Sequence, residues 1–92
     1  AKAIQDSIAN QINDQFGNIS PEFAESLFGK GMAKNNNLNA TNIQNAIIYL
    51  ENPDNFFTIQ EQFGFSDGEL EAKRKDLVAN LRQNLRQLQS LN

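Results

Sequence analysis

The chain has 92 residues, 39% of them hydrophobic, with a formal net charge of -3 and neither Cys nor His. This length fits one domain, and the missing Cys and His exclude disulfide frameworks, thiolate chemistry, the commonest metal ligand and the commonest general base. The negative charge gives no overall positive field for nucleic acid, and no apolar run approaches the roughly 18 residues of a membrane span.

An apolar stripe runs through the first segment, where an apolar residue recurs every four positions at Ile4, Ile8, Ile12 and Phe16. This spacing predicts a helix over about residues 2–16 with one buried face. Gly17 follows at once, and we predict that it ends the helix in a left-handed conformation.

A second helix is predicted by the start signal Ser20-Pro21, in which serine is a good N-cap and proline fits the first helical position. Two glycines make its end ambiguous. The helix either stops near Gly29, which we favour, or continues to Lys34 at a cost of about 1 kcal/mol for each of Gly29 and Gly31.

The stretch from Gly29 to Ala46 is rich in glycine and asparagine, which is compatible with a flexible linker or with a tight joint. A linker should be followed by weak structure, but apolar residues at helical spacing follow it. Thr41 and Gln44 stand three apart and predict a capping box for a third helix that stops at Pro53. We therefore predict a tight joint with a loop of about six residues.

Two glycosylation patterns occur, at Asn18-Ile19-Ser20 and at Asn39-Ala40-Thr41. The chain contains fourteen Asn, so chance matches are expected. Ser20 and Thr41 also have predicted capping roles. We do not expect a glycan at Asn18 or Asn39, although the sequence leaves the question open.

A short fourth helix is predicted after Asn52, with Pro53 at its first position and Gly64 at its end. Its buried line would be Phe56, Ile59 and Phe63.

The fifth helix has the strongest start signal. Ser66 and Glu69 predict a capping box, Phe65 and Leu70 a hydrophobic staple, and the helix should run to about Leu91. About 25 residues would span roughly 37 Å, while the other helices reach about 15 to 22 Å. The sequence thus predicts an all-α, compact bundle of about five helices with a long C-terminal helix, and one domain over residues 1–92.

The apolar stripe of this last helix suggests a partner, because the shorter helices should leave its C-terminal part uncovered. We predict that Leu85, Leu88 and Leu91 bind another protein or a second copy of the chain. Arg74 and Asn84 fall in the same seam, and a polar residue at such a position can fix the register of an oligomer.

A basic ridge lies nearly opposite the leucines and consists of Lys75, Arg82 and Arg86. It could contact an acidic partner or a phosphate backbone, but an exposed face kept soluble by its charges is the favoured interpretation. No aromatic residue interleaves with the ridge, so a stacking platform for single strands is missing.

Catalysis has no support in the pattern of polar residues. The carboxylates are scattered over the helices, and no calcium loop or phosphate-binding loop has the required spacing. We predict no catalytic residue, no metal and no cofactor.

Asn and Gln together make up 23 residues. Uncharged amides on helix exteriors repel other chains less than charges do, which suits a module inside a larger assembly. The favoured function is therefore a non-catalytic protein–protein interaction module or assembly subunit. The alternative is a small DNA-associated regulatory protein using the basic ridge.

The chain starts Ala1-Lys2-Ala3, as a processed product or a fragment of a longer protein could. The cytoplasm is slightly favoured as its compartment.

Overall fold

The computed structural model describes residues 2–29 and 38–91. Its helices are α1 (Lys2–Phe16), α2 (Pro21–Phe28), α3 (Ala40–Glu51), α4 (Phe56–Phe63) and α5 (Leu70–Gln89), with a 3-10 turn at Pro53–Asn55. No strand occurs in these ranges. The predicted all-α bundle with a longest last helix is confirmed. Most of the asparagine-rich joint, residues 30–37, lies outside the described ranges, so the single-domain organisation stays a prediction.

The hydrophobic core receives buried side chains from all five helices. α3 packs against α5 and α2, while α1 packs mainly against α5. Phe16 of α1 contacts the rings of Phe28 and Phe63 edge-on, with centroids 5.2 and 5.7 Å away. The fully buried large side chains are Ile12, Leu27, Ile43, Leu50, Ile59 and Leu81.

The end of α1 has the predicted position but not the predicted backbone conformation. The helix has the predicted bounds, and Gly17 follows it, but Gly17 has no positive φ. A Cβ atom at this position would lie 2.7 Å from the carbonyl oxygen of Asn13. Glycine is therefore required here for close backbone approach, and the predicted left-handed cap is wrong.

The bounds of α2 are as predicted. The Ser20 side chain accepts a hydrogen bond of 3.1 Å from the backbone N–H of Phe23, and Pro21 is the first helical residue. Gly29 ends the helix with a φ of 112°, which favours glycine strongly. The alternative extension of this helix to Lys34 is wrong.

The start of α3 is two residues earlier than predicted. Asn39 is the N-cap: its side-chain oxygen accepts from the backbone N–H of Asn42, and the Asn42 side-chain oxygen accepts from the backbone N–H of Asn39. The predicted box of Thr41 and Gln44 is therefore wrong. The Asn42 amide also donates to the carbonyl oxygen of Phe28 at 2.9 Å, as does Asn45 at 3.4 Å. The two ends of the joint are thus hydrogen-bonded to each other, as a tight joint requires.

α4 is entered through the 3-10 turn. The Asn52 side chain accepts from the backbone N–H of Asp54, so Asn52 caps this turn instead of an α-helix. Gly64 ends the helix as predicted, in a left-handed conformation with a φ of 73°, and the N–H of Phe65 donates to the carbonyl oxygen of Gln60 at 3.0 Å.

α5 is shorter at both ends than predicted, and its 20 residues span about 30 Å. Its capping box is half formed. Glu69 Oε1 accepts from the backbone N–H of Ser66 at 2.9 Å, whereas the N–H of Glu69 donates to the carbonyl oxygen of Ser66. This bond from the Ser66 backbone is the main cause that lowers the pKa of the Glu69 carboxyl.

The start of α3 can be tested by removing each candidate cap. We expect Asn39→Ala to destabilise the fold by about 1 kcal/mol, because it removes an acceptor for the first turn. Thr41→Ala should change the stability by less than about 0.5 kcal/mol, because Thr41 is exposed and inside the helix. Chemical denaturation measures both. A larger loss for Thr41→Ala would restore the sequence-based start.

The half-formed box at α5 predicts a pH dependence. A lowered folded-state pKa means that ionised Glu69 stabilises the fold above its unfolded pKa, and that this contribution is lost as the pH falls through the folded pKa. An NMR titration should place the Glu69 carboxyl below the ordinary range for glutamate, with the Ser66 amide shift following the same midpoint. Glu69→Gln, which keeps the acceptor oxygen, should remove that transition. A Glu69 midpoint at or above the ordinary range would contradict the prediction.

Candidate interaction surface

α1 and α5 run antiparallel, and they bring the first residues of the described chain beside the last. Ile4 and Leu91 line the same groove, and Gln11 is hydrogen-bonded to Asn84 further along. α5 ends at Gln89, and the first turn of α1 faces Ser90 and Leu91, which follow that helix, across the groove. Ile4, the first residue of the predicted buried stripe, is consequently 46% exposed.

The leucines that we predicted to bind a partner are not fully exposed to solvent. Leu85 and Leu88 are half-buried and packed against the core, and Leu91 is half-buried just beyond the end of α5. The expectation that they lack cover within the chain is wrong for Leu85 and Leu88, which pack against the core, whereas Leu91 lines a surface groove. Their role in partner binding stays a prediction.

Arg74, the first polar residue in the seam of α5, is used within the chain. Its guanidinium donates to the carbonyl oxygen of Leu50 at 3.3 Å and lies 4.3 Å from the ring centroid of Phe56. Leu50 is in the last turn of α3, where carbonyl groups lack helical partners and attract positive charge. Arg74 therefore joins the end of α3 to the start of α4.

Asn84, the second polar residue in the seam, is only 2% exposed. Its Nδ2 atom donates to Gln11 Oε1 at 3.0 Å, while its own Oδ1 is buried without a hydrogen-bond partner among the described residues. The amide pair sets the register between α1 and α5. The polar seam positions thus have partners inside the chain, and they do not require an oligomer.

The basic ridge is largely neutralised by carboxylates of the same chain. Lys75 pairs with Glu71 at 3.1 Å, and Arg82 pairs with Glu51 of α3 at 2.8 Å. Arg86 has no ion-pair partner in the part of the chain that the structure describes. One unpaired cation is a small anchor for a phosphate backbone, since each neutralised phosphate requires its own cation.

A first groove, of about 400 Å³, separates the start of α1 from the end of α5. Its walls are apolar at the base and bear hydroxyl and amide groups at the rim. On the α1 side it is lined by Ala3, Ile4, Ser7, Ile8 and Gln11, and on the α5 side by Gln87, Ser90 and Leu91.

A second groove, of about 440 Å³, lies on the other side of the α5 terminus and reaches the start of α3. Leu88 and Gln89 line it together with Gln5 of α1. Its remaining lining residues are Leu38, Asn39, Ala40 and Thr41.

We call the two grooves together the end surface. Among the residues that the structure describes, fifteen line this surface, and none of these is charged. At the chain's charged fraction of 21%, about three charged residues would be expected among them, since charged side chains favour exposed positions. Two predicted residues, Leu88 and Leu91, belong to this surface. Ile4 also belongs to this surface, although the sequence predicted it to be buried. The signal for its exposure was its position in the first turn of α1, beside the end of the antiparallel helix α5.

A third cavity, of about 360 Å³, has a different character. It lies between the end of α1, the end of α4 and the first half of α5. Phe63 and Phe65, stacked with centroids 5.2 Å apart, form one wall, and the charged residues Lys73 and Asp76 lie on α5. It shares no lining residue with the end surface.

Two other large apolar side chains are exposed away from the end surface. Ile48 on α3 is 67% exposed, and Phe57 on α4 is 71% exposed. Neither residue lines any of the three cavities. Single exposed apolar residues are ordinary on protein surfaces. Ile48 is therefore useful as a control for Ile4.

The shifted pKa values of the ionisable groups have local causes. Burial raises the pKa of Tyr49, and the hydrogen bond from Lys75 is the main cause that lowers the pKa of Glu71.

Within residues 2–29 and 38–91, no group of three or more carboxylates could hold a metal ion. In the same ranges no helix is long and apolar enough to cross a membrane.

Comparison with known proteins gives no relative. No protein-family model matches the chain, and no curated protein or solved structure is significantly similar to it. The function must therefore be inferred from the surface itself.

The junction of α1 and α5 predicts unequal effects of two alanine substitutions. Leu81→Ala should destabilise the fold by about 2 to 5 kcal/mol, because it removes a fully buried apolar side chain. Asn84→Ala should change the stability by less than about 1 kcal/mol, because the lost bond to Gln11 is offset by removal of the unpartnered Oδ1. Both residues lie on α5, and replacing Asn by Ala improves helix propensity more than replacing Leu does, which lowers the cost of Asn84→Ala further. Equal losses in chemical denaturation would contradict this.

Proposed function

We propose that this chain is a non-catalytic protein–protein interaction module, a subunit that docks on another protein chain through its end surface. One observation carries the proposal. The described residues that line the end surface are uncharged and partly apolar, and the charged residues of the described ranges lie outside this lining.

The apolar part of the end surface provides a driving force for docking. Ile4 is nearly half exposed, and Leu88 and Leu91 are half-buried beside the grooves. Covering apolar surface stabilises a complex by about 25 cal/mol per Å² before the costs of association. A partner that fills the first groove would cover Ile4 and Leu91 together.

The polar part of the end surface consists of amides and hydroxyls, including Ser7, Gln87 and Ser90. Such groups can be paired by a partner's backbone without the large desolvation cost of a charge. The centres of protein interfaces are depleted of charged residues for the same reason. The described lining of the end surface therefore shares its lack of charged residues with the centre of an interface.

The alternative function, association with DNA through the basic ridge, has weaker support. Lys75 and Arg82 already pair with Glu71 and Glu51, so a phosphate would have to displace these carboxylates. The net charge of -3 also opposes approach to a polyanion.

Catalysis has little support from the titrating groups. Glu69 and Glu71 have lowered pKa values, through the Ser66 backbone and Lys75 respectively. A carboxylic acid that donates a proton at neutral pH needs a raised pKa. These two carboxylates instead stabilise the start of α5.

The proposal is tested with two isoleucines. Ile4→Arg places a charge beside the first groove, and Ile48→Arg places the same charge at a more exposed site outside the end surface. We expect Ile4→Arg to weaken capture of a partner from native extract by roughly 30-fold, the size of an interface hot spot, and Ile48→Arg by less than about twofold.

Circular dichroism of both variants checks that the helices are retained. Equal capture by wild type and Ile4→Arg, or loss of capture only in Ile48→Arg, would contradict the proposal. A salt-sensitive DNA shift that disappears when Lys75, Arg82 and Arg86 are reversed would favour the alternative function.

A further inference from the structure

The contact between α1 and α5 is open at both ends. The first groove separates the start of α1 from the end of α5, and the third cavity separates the end of α1 from the first half of α5. Side chains on the two sides of a groove or cavity make fewer dispersion contacts with each other than closely packed ones do. Ile4, in the first turn of α1, is accordingly nearly half exposed. The two helices are therefore held together mainly at their middle turns.

The middle of this contact contains a buried amide. Asn84 of α5 donates to Gln11 of α1 at 3.0 Å, but its Oδ1 atom is buried without a hydrogen-bond partner among the described residues. A buried acceptor that has lost its bonds to water without replacing them weakens the folded arrangement. Separation of the two helices would return this oxygen to water. Asn84 therefore offsets part of the stabilisation that the burial of Ile8 and Ile12 provides.

The end of α1 is held by other helices. Phe16 is buried, and its ring contacts Phe28 of α2 and Phe63 of α4 edge-on. These contacts do not involve α5, so they can persist when α1 leaves it. α2 is also joined to α3 by the hydrogen bonds from Asn42 and Asn45 to the carbonyl oxygen of Phe28. The remaining helices thus keep their own contacts when α1 moves.

We propose that α1 is a separately opening element, which swings away from α5 about its anchor at Phe16 while the helices α2 to α5 stay folded. The open form is the minor one, because closing buries Ile8 and Ile12. Opening takes the first groove apart, since Ile4 belongs to one wall and Leu91 to the other. Formation of this groove is therefore governed by a conformational equilibrium within the chain, whatever molecule the groove binds.

Native-state hydrogen exchange, followed by NMR, tests the opening without any partner. The reporters are the backbone amides of Ile8 and Gln11 in α1 and those of Ile47 and Leu50 in α3. When reclosing outpaces exchange, each protection factor measures the opening equilibrium of its own segment. We expect the α1 amides to be at least roughly 100-fold less protected than the α3 amides, because a local opening exposes them without global unfolding.

A matched pair of substitutions identifies the opening unit. Ile12→Val and Ile59→Val each remove one methyl group from a fully buried isoleucine, on α1 and on α4 respectively. Ile12→Val should lower the protection of both sets of amides by roughly fivefold, because Ile12 is uncovered in the local opening and in global unfolding alike. Ile59→Val should lower the protection of the α3 amides by a similar factor and leave the α1 amides within about twofold of the wild type, because Ile59 stays buried when α1 opens.

Three results would overturn the inference. Equal protection of the two sets in the wild type, or an equal loss in both sets in Ile59→Val, would mean that α1 exchanges only through global unfolding. Unchanged protection of the α1 amides in Ile12→Val would mean that they exchange while α1 remains on α5. The comparison within the wild type needs no variant, so it decides the question even where a variant fails to fold.

Discussion

The burial of one face of α3 is the constraint on which the remaining structure depends. Ile43, Ala46, Ile47 and Leu50 are all buried, over the whole length of the helix. Each neighbouring element is attached to α3 by polar bonds as well as by packing. Asn42 holds the end of α2 through the Phe28 carbonyl, and Asn55 holds the 3-10 turn through the carbonyl of Tyr49 at 3.0 Å. Arg74 and Arg82 hold α5. α1 packs mainly against α5, and its Phe16 also contacts Phe28 of α2 and Phe63 of α4.

The helices could be predicted from sequence because their signals are local. Ser20 and Gly64 act on backbone groups within a few residues, and they do so as predicted. The start of α3 could not be predicted in the same way. Asn39 and Thr41 are comparable caps by propensity, and the choice between them follows from Asn42, which also has to reach the carbonyl of Phe28 from a different helix. A long-range partner decided a local boundary.

The interaction surface shows the same limit. The sequence indicated an apolar excess near the end of the last helix, and Leu88 and Leu91 do line the grooves there. Which side chain stays exposed depends on how far each antiparallel helix extends past the other. α5 ends two residues earlier than predicted, so Leu91 lies beyond the helix end and is half-buried, while Ile4 is 46% exposed. Helix ends are the hardest part of a helix to predict from sequence, so the residue that stays exposed beside such an end is equally hard to predict.

The packing of α1 against α5 also has a consequence for synthesis of the chain. α1 is made before α5, yet α1 packs mainly against α5, and its Ile8 and Ile12 are buried in the folded chain. At about 5 to 20 residues per second, the ribosome takes several seconds to make the intervening sequence. During that time an amphipathic helix with an apolar face has no permanent cover. The many uncharged amides on its other face neither attract nor repel neighbouring nascent chains strongly. The new helix therefore depends on rapid synthesis of α5, or on a chaperone, to avoid aggregation.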